Sequence, residues 1–537
     1  MIDKKDNKWT LFILLGIILL GVVLRLYNLT AKALWYDEIS TISIAEKSLG
    51  FILQPFSSYK SAFVILLKIW IGIFGTSIFA TRLLPALFGI VSIFLTFRIG
   101  KDLFNSRVGL IASFLFSTSS FHIYHSQQVK QYTVLLFLVL LSTFYFVKFI
   151  AEGKTRFILP NVLLNILILY THPFGFAVIL FQALYTIVNY KLIERAELKK
   201  WFLYQTPLLF SLCIWVSIIY STEKYFKAIL WWVRLPNIHS LTDTFRTFSY
   251  GFNYGLSDVN MQLCPPVISG MLSIIFGLLF IKGLFNAFGY YRQSHVKLTI
   301  AWLFLPIVLI ISFSYLIRPV YVTKHLLILL PAFYYIVAIG LSHKTRTFFI
   351  ITILAVIFGL NSIPLRRMHD TVTNVDWQKA VQLMERHSLK DNAVIIMATT
   401  KEVVCLIYYL NHADNQALRD IDIFGKVTDS GWQESFQYKK HYIITLGSEL
   451  EQTQDAYYDP GSGINKIYKP GHIIADFDKK ILGGDILKAE KQVWLLVSRW
   501  AGDEYRLESI AQKLKAYFKM AFRKEVSGVK VYRFEPM

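Results

Sequence analysis

From residue 1 to about 362 the chain alternates apolar runs with short polar loops, and beyond Ser362 it takes the mixed pattern of a folded, water-exposed domain. The runs predict eleven membrane helices, at roughly 9–27, 83–99, 108–121, 132–149, 157–171, 174–190, 201–220, 265–285, 298–317, 325–341 and 347–362. One further apolar run, Ser61–Phe74, is short for a span and holds Lys68, which would cost about 2.5–3.5 kcal/mol at mid-bilayer. We read it as an interfacial helix. Leaving it out gathers Arg98, Lys101 and Arg107, Lys154 and Arg156, Lys191, Arg195, Lys199 and Lys200, Arg292 and Lys297, and Lys344 and Arg346 on one side. By the positive-inside bias that side is cytoplasmic, in the plasma (inner) membrane. The N-terminus is then cytoplasmic, and the residues after 362 are extracytoplasmic. Lys4, Lys5 and Lys8 precede the first run, and Ala31-Lys32-Ala33 mimics a signal-peptide cleavage site. The length of the run and Arg25 close behind it favour an uncleaved first helix.

The part from 363 to 537 reads as an α/β domain. Asp376–His387 has a helical period with Trp377, Val381 and Met384 on one face. Ala393–Ala398, Tyr442–Leu446, Val493–Ser498 and Val529–Phe534 read as strands, and Glu504–Phe518 as an amphipathic helix. No Gly-rich phosphate loop follows any of these strands. A cap that helps select an acceptor and a purely structural lid both remain open.

Composition agrees with a polytopic membrane protein: 55% of residues are hydrophobic, 16% aromatic and 17% charged. The net charge of +21 comes from lysines and arginines in the short loops, so orientation explains it, and no stretch resembles a nucleic-acid-binding motif. Cys213, Cys264 and Cys405 lie far apart, with neither metal-ligand spacing nor an obvious disulfide pair.

Chemistry is to be sought in the expected outer loops. The first carries Trp35-Tyr36-Asp37-Glu38, two adjacent carboxylates framed by rings suited to the headgroup level. A carboxylate partly desolvated there has its pKa raised toward that of a general base. The other reading is the first turn of a surface helix, whose N-terminus favours acids. Two more loops, His122–Tyr132 and Arg318–His325, mix basic and aromatic residues and suit a lipid phosphate, or serve as snorkelling anchors. His122, His125 and His172 show no metal-binding spacing, and a plain polar role fits them.

These residues carry a resemblance. Trp35-Tyr36-Asp37-Glu38, Thr81-Arg82-Leu83-Leu84-Pro85-Ala86-Leu87-Phe88-Gly89, His125-Ser126-Gln127-Gln128-Val129-Lys130-Gln131-Tyr132, Tyr170-Thr171-His172, Lys324-His325-Leu326 and Val375-Asp376-Trp377-Gln378-Lys379-Ala380 occur in this order. The chain resembles the C-type glycosyltransferases related to dolichyl-phosphate-mannose protein mannosyltransferases and bacterial aminoarabinose transferases. The resemblance implies an enzyme that takes a sugar from a polyprenyl-phosphate carrier in the membrane. It would pass the sugar, with inversion, to an extracytoplasmic acceptor, whether lipid, glycan or protein. It implies Asp37 as the base and Glu38 as its partner. On the same footing, Lys60, Arg82, Lys130, Arg318 and Lys324 would bind the donor phosphate. Trp35, Tyr36, His125, Gln128, Tyr132, His172 and His325 would line the substrate site. Relatives often carry an acid where this chain has Gln128 and an Arg where it has Lys324, which weakens a metal site and gives up bidentate phosphate binding. No cofactor is expected; a divalent cation, if used, would need ligands from elsewhere. A transporter or lipid flippase is the rival class, but its ionisable residues would lie along a path inside the helices, often in inverted repeats. No internal repeat is found here.

Overall fold

In the computed structural model the described residues are 4–54, 61–221, 233–251, 264–370, 376–387, 389, 393–397, 405–406, 408–410, 427–428, 431–432, 435–438, 441–445, 492–498, 510–512, 514–516, 518–526 and 529–536. By its contacts the chain forms two units, residues 1–30 with 47–370, and residues 31–46 with 371–537. The short segment that carries Asp37 and Glu38 thus groups with the C-terminal part. The last long helix of the first unit, Thr347–Asp370, runs on past residue 362.

The first unit is a helical, multi-pass membrane protein. Among the described residues eight helices are long and apolar enough to cross a membrane: Lys8–Leu26, Ile78–Leu103, Tyr132–Glu152, Arg195–Ser221, Pro266–Tyr290, Gln293–Leu316, Thr323–Ser342 and Thr347–His369. Helices also stand at the other three expected positions, Ser106–Ser117, Thr155–Thr171 and Gly175–Val188, but they are shorter, as is Ser61–Phe74. In Ser61–Phe74, Lys68 donates to the Lys47 carbonyl at 2.7 Å. That contact helps satisfy a cation set among apolar neighbours.

Three local features depart from the simple span pattern. The run expected at 108–121 is two helices, Ser106–Ser117 and Ser120–Ser126, because Ser119 caps the second by accepting from the His122 amide. Gln205 separates Arg195–Tyr204 from Thr206–Ser221. The tenth helix begins as a 3-10 turn over Thr323–Leu329 before continuing as Leu330–Ser342, which is buried along its whole length.

Two small-residue contacts let the central helix be covered. A side chain at Gly283 would run into the backbone of Ile336, and one at Gly340 into the backbone of Leu279, so the Pro266–Tyr290 and Leu330–Ser342 helices meet almost backbone to backbone. Elsewhere a polar quartet ties three helices together. Ser142 donates to Asn165 Oδ1 at 2.7 Å, and Asn161 and Asn165 both donate to Gln182 Oε1, at 3.1 and 2.9 Å. Gln182 returns a bond to Ser142 at 3.0 Å. In a membrane such bonds contribute about 0.6 kcal/mol each.

The second unit is built on a six-stranded sheet. Its strands are β1 (Val394–Met397), β4 (Ser435–Tyr438), β5 (His441–Thr445), β6 (Val493–Ser498), β7 (Phe518–Val526) and β8 (Val529–Pro536), in the order β4-β5-β1-β6-β8-β7. A separate ribbon pairs β2 (Val427–Thr428) with β3 (Gly431–Trp432). β1 lies parallel to β5 and β6, with Val394 opposite both Tyr442 and Val493. The central strands β1 and β6 read as unbroken apolar runs because both of their faces are buried. Val394, Ile396, Val493, Leu495, Ile510, Leu514, Tyr532 and Phe534 form the core on one face. The Trp377–Arg386 helix buries Trp377, Val381 and Met384, as its period predicts.

The helix expected over Glu504–Phe518 is corrected at its end. Its described turns lie within 510–515, and Phe518 opens β7, an edge strand the sequence reading missed. A bulge between Met520 and Phe522 breaks the alternation that would have announced that strand.

Candidate active site

In the second unit Tyr36–Glu46 is a helix, and Asp37 and Glu38 occupy its first turn. That is the local setting of the plainer reading, in which the helix N-terminus stabilises nearby acids. The two acids are not equivalent. Asp37 is half-buried, whereas Glu38 is fully buried and accepts from the Trp35 amide at 3.4 Å. Tyr409 donates to the Leu34 carbonyl at 3.1 Å, so a C-terminal helical stretch holds the start of this turn. Burial, with Tyr408, Cys405 and Glu38 adding to it, pushes the Tyr409 hydroxyl up. It is therefore a donor at any working pH. Trp35 and Tyr36 are half-buried, and Nε1 of Trp35 is shielded without a hydrogen-bond partner among the described residues.

In the first unit the two basic-aromatic loops and the turn at His172, between the Ile158–Thr171 and Gly175–Val188 helices, meet around Tyr132. The His125 ring lies 5.0 Å from it, His172 6.0 Å and His325 5.9 Å, and Lys324 Nζ stands 5.8 Å from its centroid. The His172 and His325 rings are 4.7 Å apart, and Phe174, which the sequence reading passed over, packs at a tilt against His325 at 4.4 Å. The only local hint for Phe174 is its place two residues after His172. The turn itself fixes His172, whose Nδ1 accepts from the Phe174 amide at 3.2 Å.

Electrostatics keep this group poised for an anion. Burial first, then the Lys324 charge, hold the His125 imidazole well below the usual histidine range, at about 3, while a hydrogen bond to Gln128 pulls weakly the other way. His125 is therefore neutral at working pH, and Lys324 supplies the positive charge. Nδ1 of His325 is buried without a hydrogen-bond partner among the described residues. Such an atom is one that a ligand could satisfy.

The remaining candidates are distributed more widely. Lys130 is buried beside Gln128, to whose carbonyl its amide donates at 2.7 Å, and Arg318 is half-buried with its amide on the Phe313 carbonyl at 3.2 Å. Arg82 is buried and donates to the Leu29 carbonyl at 3.0 Å, a bond that ties the second long helix to the end of the first. Lys60 lies outside the described residues. Among the described residues no group of three or more His, Cys, Asp or Glu side chains is arranged to hold a metal ion.

The fold is shared with solved structures of membrane proteins. ArnT from Cupriavidus metallidurans in its apo state superposes with a TM-score of 0.55 at 10% identity, over 99% of this chain and 98% of that one. ArnT bound to undecaprenyl phosphate gives 0.53 at 11% identity, over 97% of each chain. The archaeal oligosaccharyltransferase AglB from Archaeoglobus fulgidus, in complex with an inhibitory peptide and a dolichol-phosphate, gives 0.53 at 12% identity, over 99% of this chain and 74% of that one. Against the apo form of the Archaeoglobus fulgidus oligosaccharyltransferase the match spans 64% of that protein's length. By sequence, residues 62–220 match the family described as dolichyl-phosphate-mannose-protein mannosyltransferase, which is the resemblance the motifs carry. No curated protein matches the chain.

Proposed function

We propose that this protein is an integral-membrane glycosyltransferase that moves a sugar from a polyprenyl-phosphate donor to an acceptor on the extracytoplasmic side, with inversion. The observation that carries the reading is the gathering of His125, Tyr132, His172, Lys324 and His325 from three separate loops within this fold. A cation among imidazoles and aromatic rings suits a lipid phosphate, since the ammonium neutralises the anion while the rings tolerate the isoprenoid beside it. Neighbours of the same fold carry undecaprenyl phosphate and dolichol-phosphate, which supports this ligand class.

The chemistry asks for little else. Displacement at the anomeric carbon needs one base to take the proton of the incoming hydroxyl, and the leaving phosphate needs positive charge and no acid. Asp37 is the candidate base because it is the more exposed of the two acids, and the buried Glu38 braces the turn that carries it. The donor phosphate falls to Lys324, with Lys60, Lys130, Arg82 and Arg318 as further candidates. The transporter reading is less well supported, since the candidate acids sit at the start of a helix outside the spans.

The test is transfer of radiolabelled sugar from a polyprenyl-phosphate donor to acceptor extracts by the purified full-length protein. Asp37→Asn keeps the shape but removes the proton acceptor, so turnover should fall by roughly 10²–10⁴ with normal membrane yield. Unchanged transfer by this variant would end the assignment of Asp37 and leave Glu38 as the candidate.

A further inference from the structure

The buried cation that the function leaves unused is Arg25, at the end of the first membrane helix. It has no exposed surface. One arm, Nη1, donates to the Gly21 carbonyl at 3.0 Å and to the Ser117 carbonyl at 2.9 Å. The other, Nη2, donates to the Phe116 carbonyl at 3.4 Å and stands 2.7 Å from Nδ1 of His122. A guanidinium has only donors, so Nδ1 of His122 must accept and the ring proton is on Nε2. Phe116 and Ser117 close the Ser106–Ser117 helix, and their carbonyls have no successor turn to accept from. Arg25 fills that role across the break at Thr118 and Ser119.

The same joint is tied from its other end. Nε2 of Gln127 donates to the carbonyls of Arg25 and Tyr27, at 3.1 and 2.9 Å. Helix Ser120–Ser126 is thus held at both ends to the end of the first membrane helix. Gly89, the last residue of the Thr81–Gly89 motif, makes room for this joint. A side chain there would strike Ser126 Oγ and come within 3.5 Å of Arg25 Nε. On the same helix the Pro85 carbonyl accepts from Thr133 at 3.2 Å, next to Tyr132.

We infer that Arg25 is a positioning residue: it sets the register of segment 118–132, and through it the places of His125, Gln128, Lys130 and Tyr132. The functional half of this inference rests on the glycosyltransferase reading. Arg25→Lys keeps the charge but gives up the fork that spans three carbonyls and a ring nitrogen. Gly89→Ala disturbs the joint from the other side, by pressing a methyl group on Ser126, and leaves the Arg25 side chain itself unchanged. The measurements are hydrogen exchange of segment 118–131 and binding of undecaprenyl phosphate, both on the full-length protein in micelles, with Lys324→Gln in parallel. Exchange in that segment should rise at least about fivefold in both variants, with donor binding weakened about 5- to 10-fold and the melting temperature of the whole protein little changed. Unaltered exchange in both variants would overturn the inference. So would faster exchange with unaltered lipid binding, provided Lys324→Gln weakens that binding. If Lys324→Gln has no effect either, the reading of the donor site fails, and the exchange result alone supports or overturns the joint.

Discussion

Replacing Lys324 by Gln removes a cation that stands against the Tyr132 ring while keeping most of the side chain's length. Lys324 Nζ lies 5.8 Å from the ring centroid, a distance at which the ammonium and ring attract each other by about 0.5–2 kcal/mol. That attraction is present without ligand, so its loss acts mainly on the empty site. The donor phosphate would add a charge-assisted bond whose removal costs about 1.5–3 kcal/mol. Taking about 2 kcal/mol as the differential term, affinity for undecaprenyl phosphate should fall about 30-fold. Because the ring cluster is largely buried, added salt should change this ratio little. The variant carries a second signature, since the Lys324 charge is one of the causes that lower the His125 pKa. Its removal should move the His125 titration upward. The assay is tryptophan fluorescence of the purified full-length protein titrated with undecaprenyl phosphate in micelles. Lys191→Gln is the matched control, an exposed lysine 6.0 Å from the Tyr190 ring. Lipid affinity within about twofold of wild type for Lys324→Gln, or an equal loss for Lys191→Gln, would refute the assignment of the phosphate to this cluster.

Other outcomes follow from the same residues. With Gln128 in place of an acid and no cluster of ligating side chains among the described residues, activity should survive EDTA; loss on chelation, restored by manganese or magnesium, would contradict this. Because His125 titrates at about 3 in the fold against an ordinary value of 6.5, its contribution to stability is complete above pH 6.5 and is lost as pH falls toward 3, by up to about 1.4 kcal/mol per pH unit. Thermal melting between pH 7 and pH 4 should therefore show acid destabilisation that a His125→Gln variant reduces. A reporter active only outside the cytoplasm should work when fused after Asp370 and fail after Lys200, and the reverse would mean that Ser61–Phe74 spans.

What the sequence by itself determined is local. Apolar length announced the long membrane helices, and unbroken apolar runs announced β1 and β6, because each reports the solvent or layer immediately around a segment. The acid pair was legible for the same reason, as a short motif at a helix start. Only the tertiary structure separated Asp37 from Glu38, by burying one and leaving the other half-exposed, since adjacent residues on a helix point about 100° apart and the packing chooses between them. Only the tertiary structure brought His125, His172 and His325 onto one tyrosine, from positions that share no period. Arg25 is the clearest case. In the sequence it is a flanking charge after an apolar run, and in the fold it joins carbonyls and a ring nitrogen more than ninety residues away. Its partners are mostly backbone carbonyls, which every residue type carries, so no side-chain pattern could have named them; the break at Thr118 and Ser119, which leaves those carbonyls to be satisfied, exists only in three dimensions.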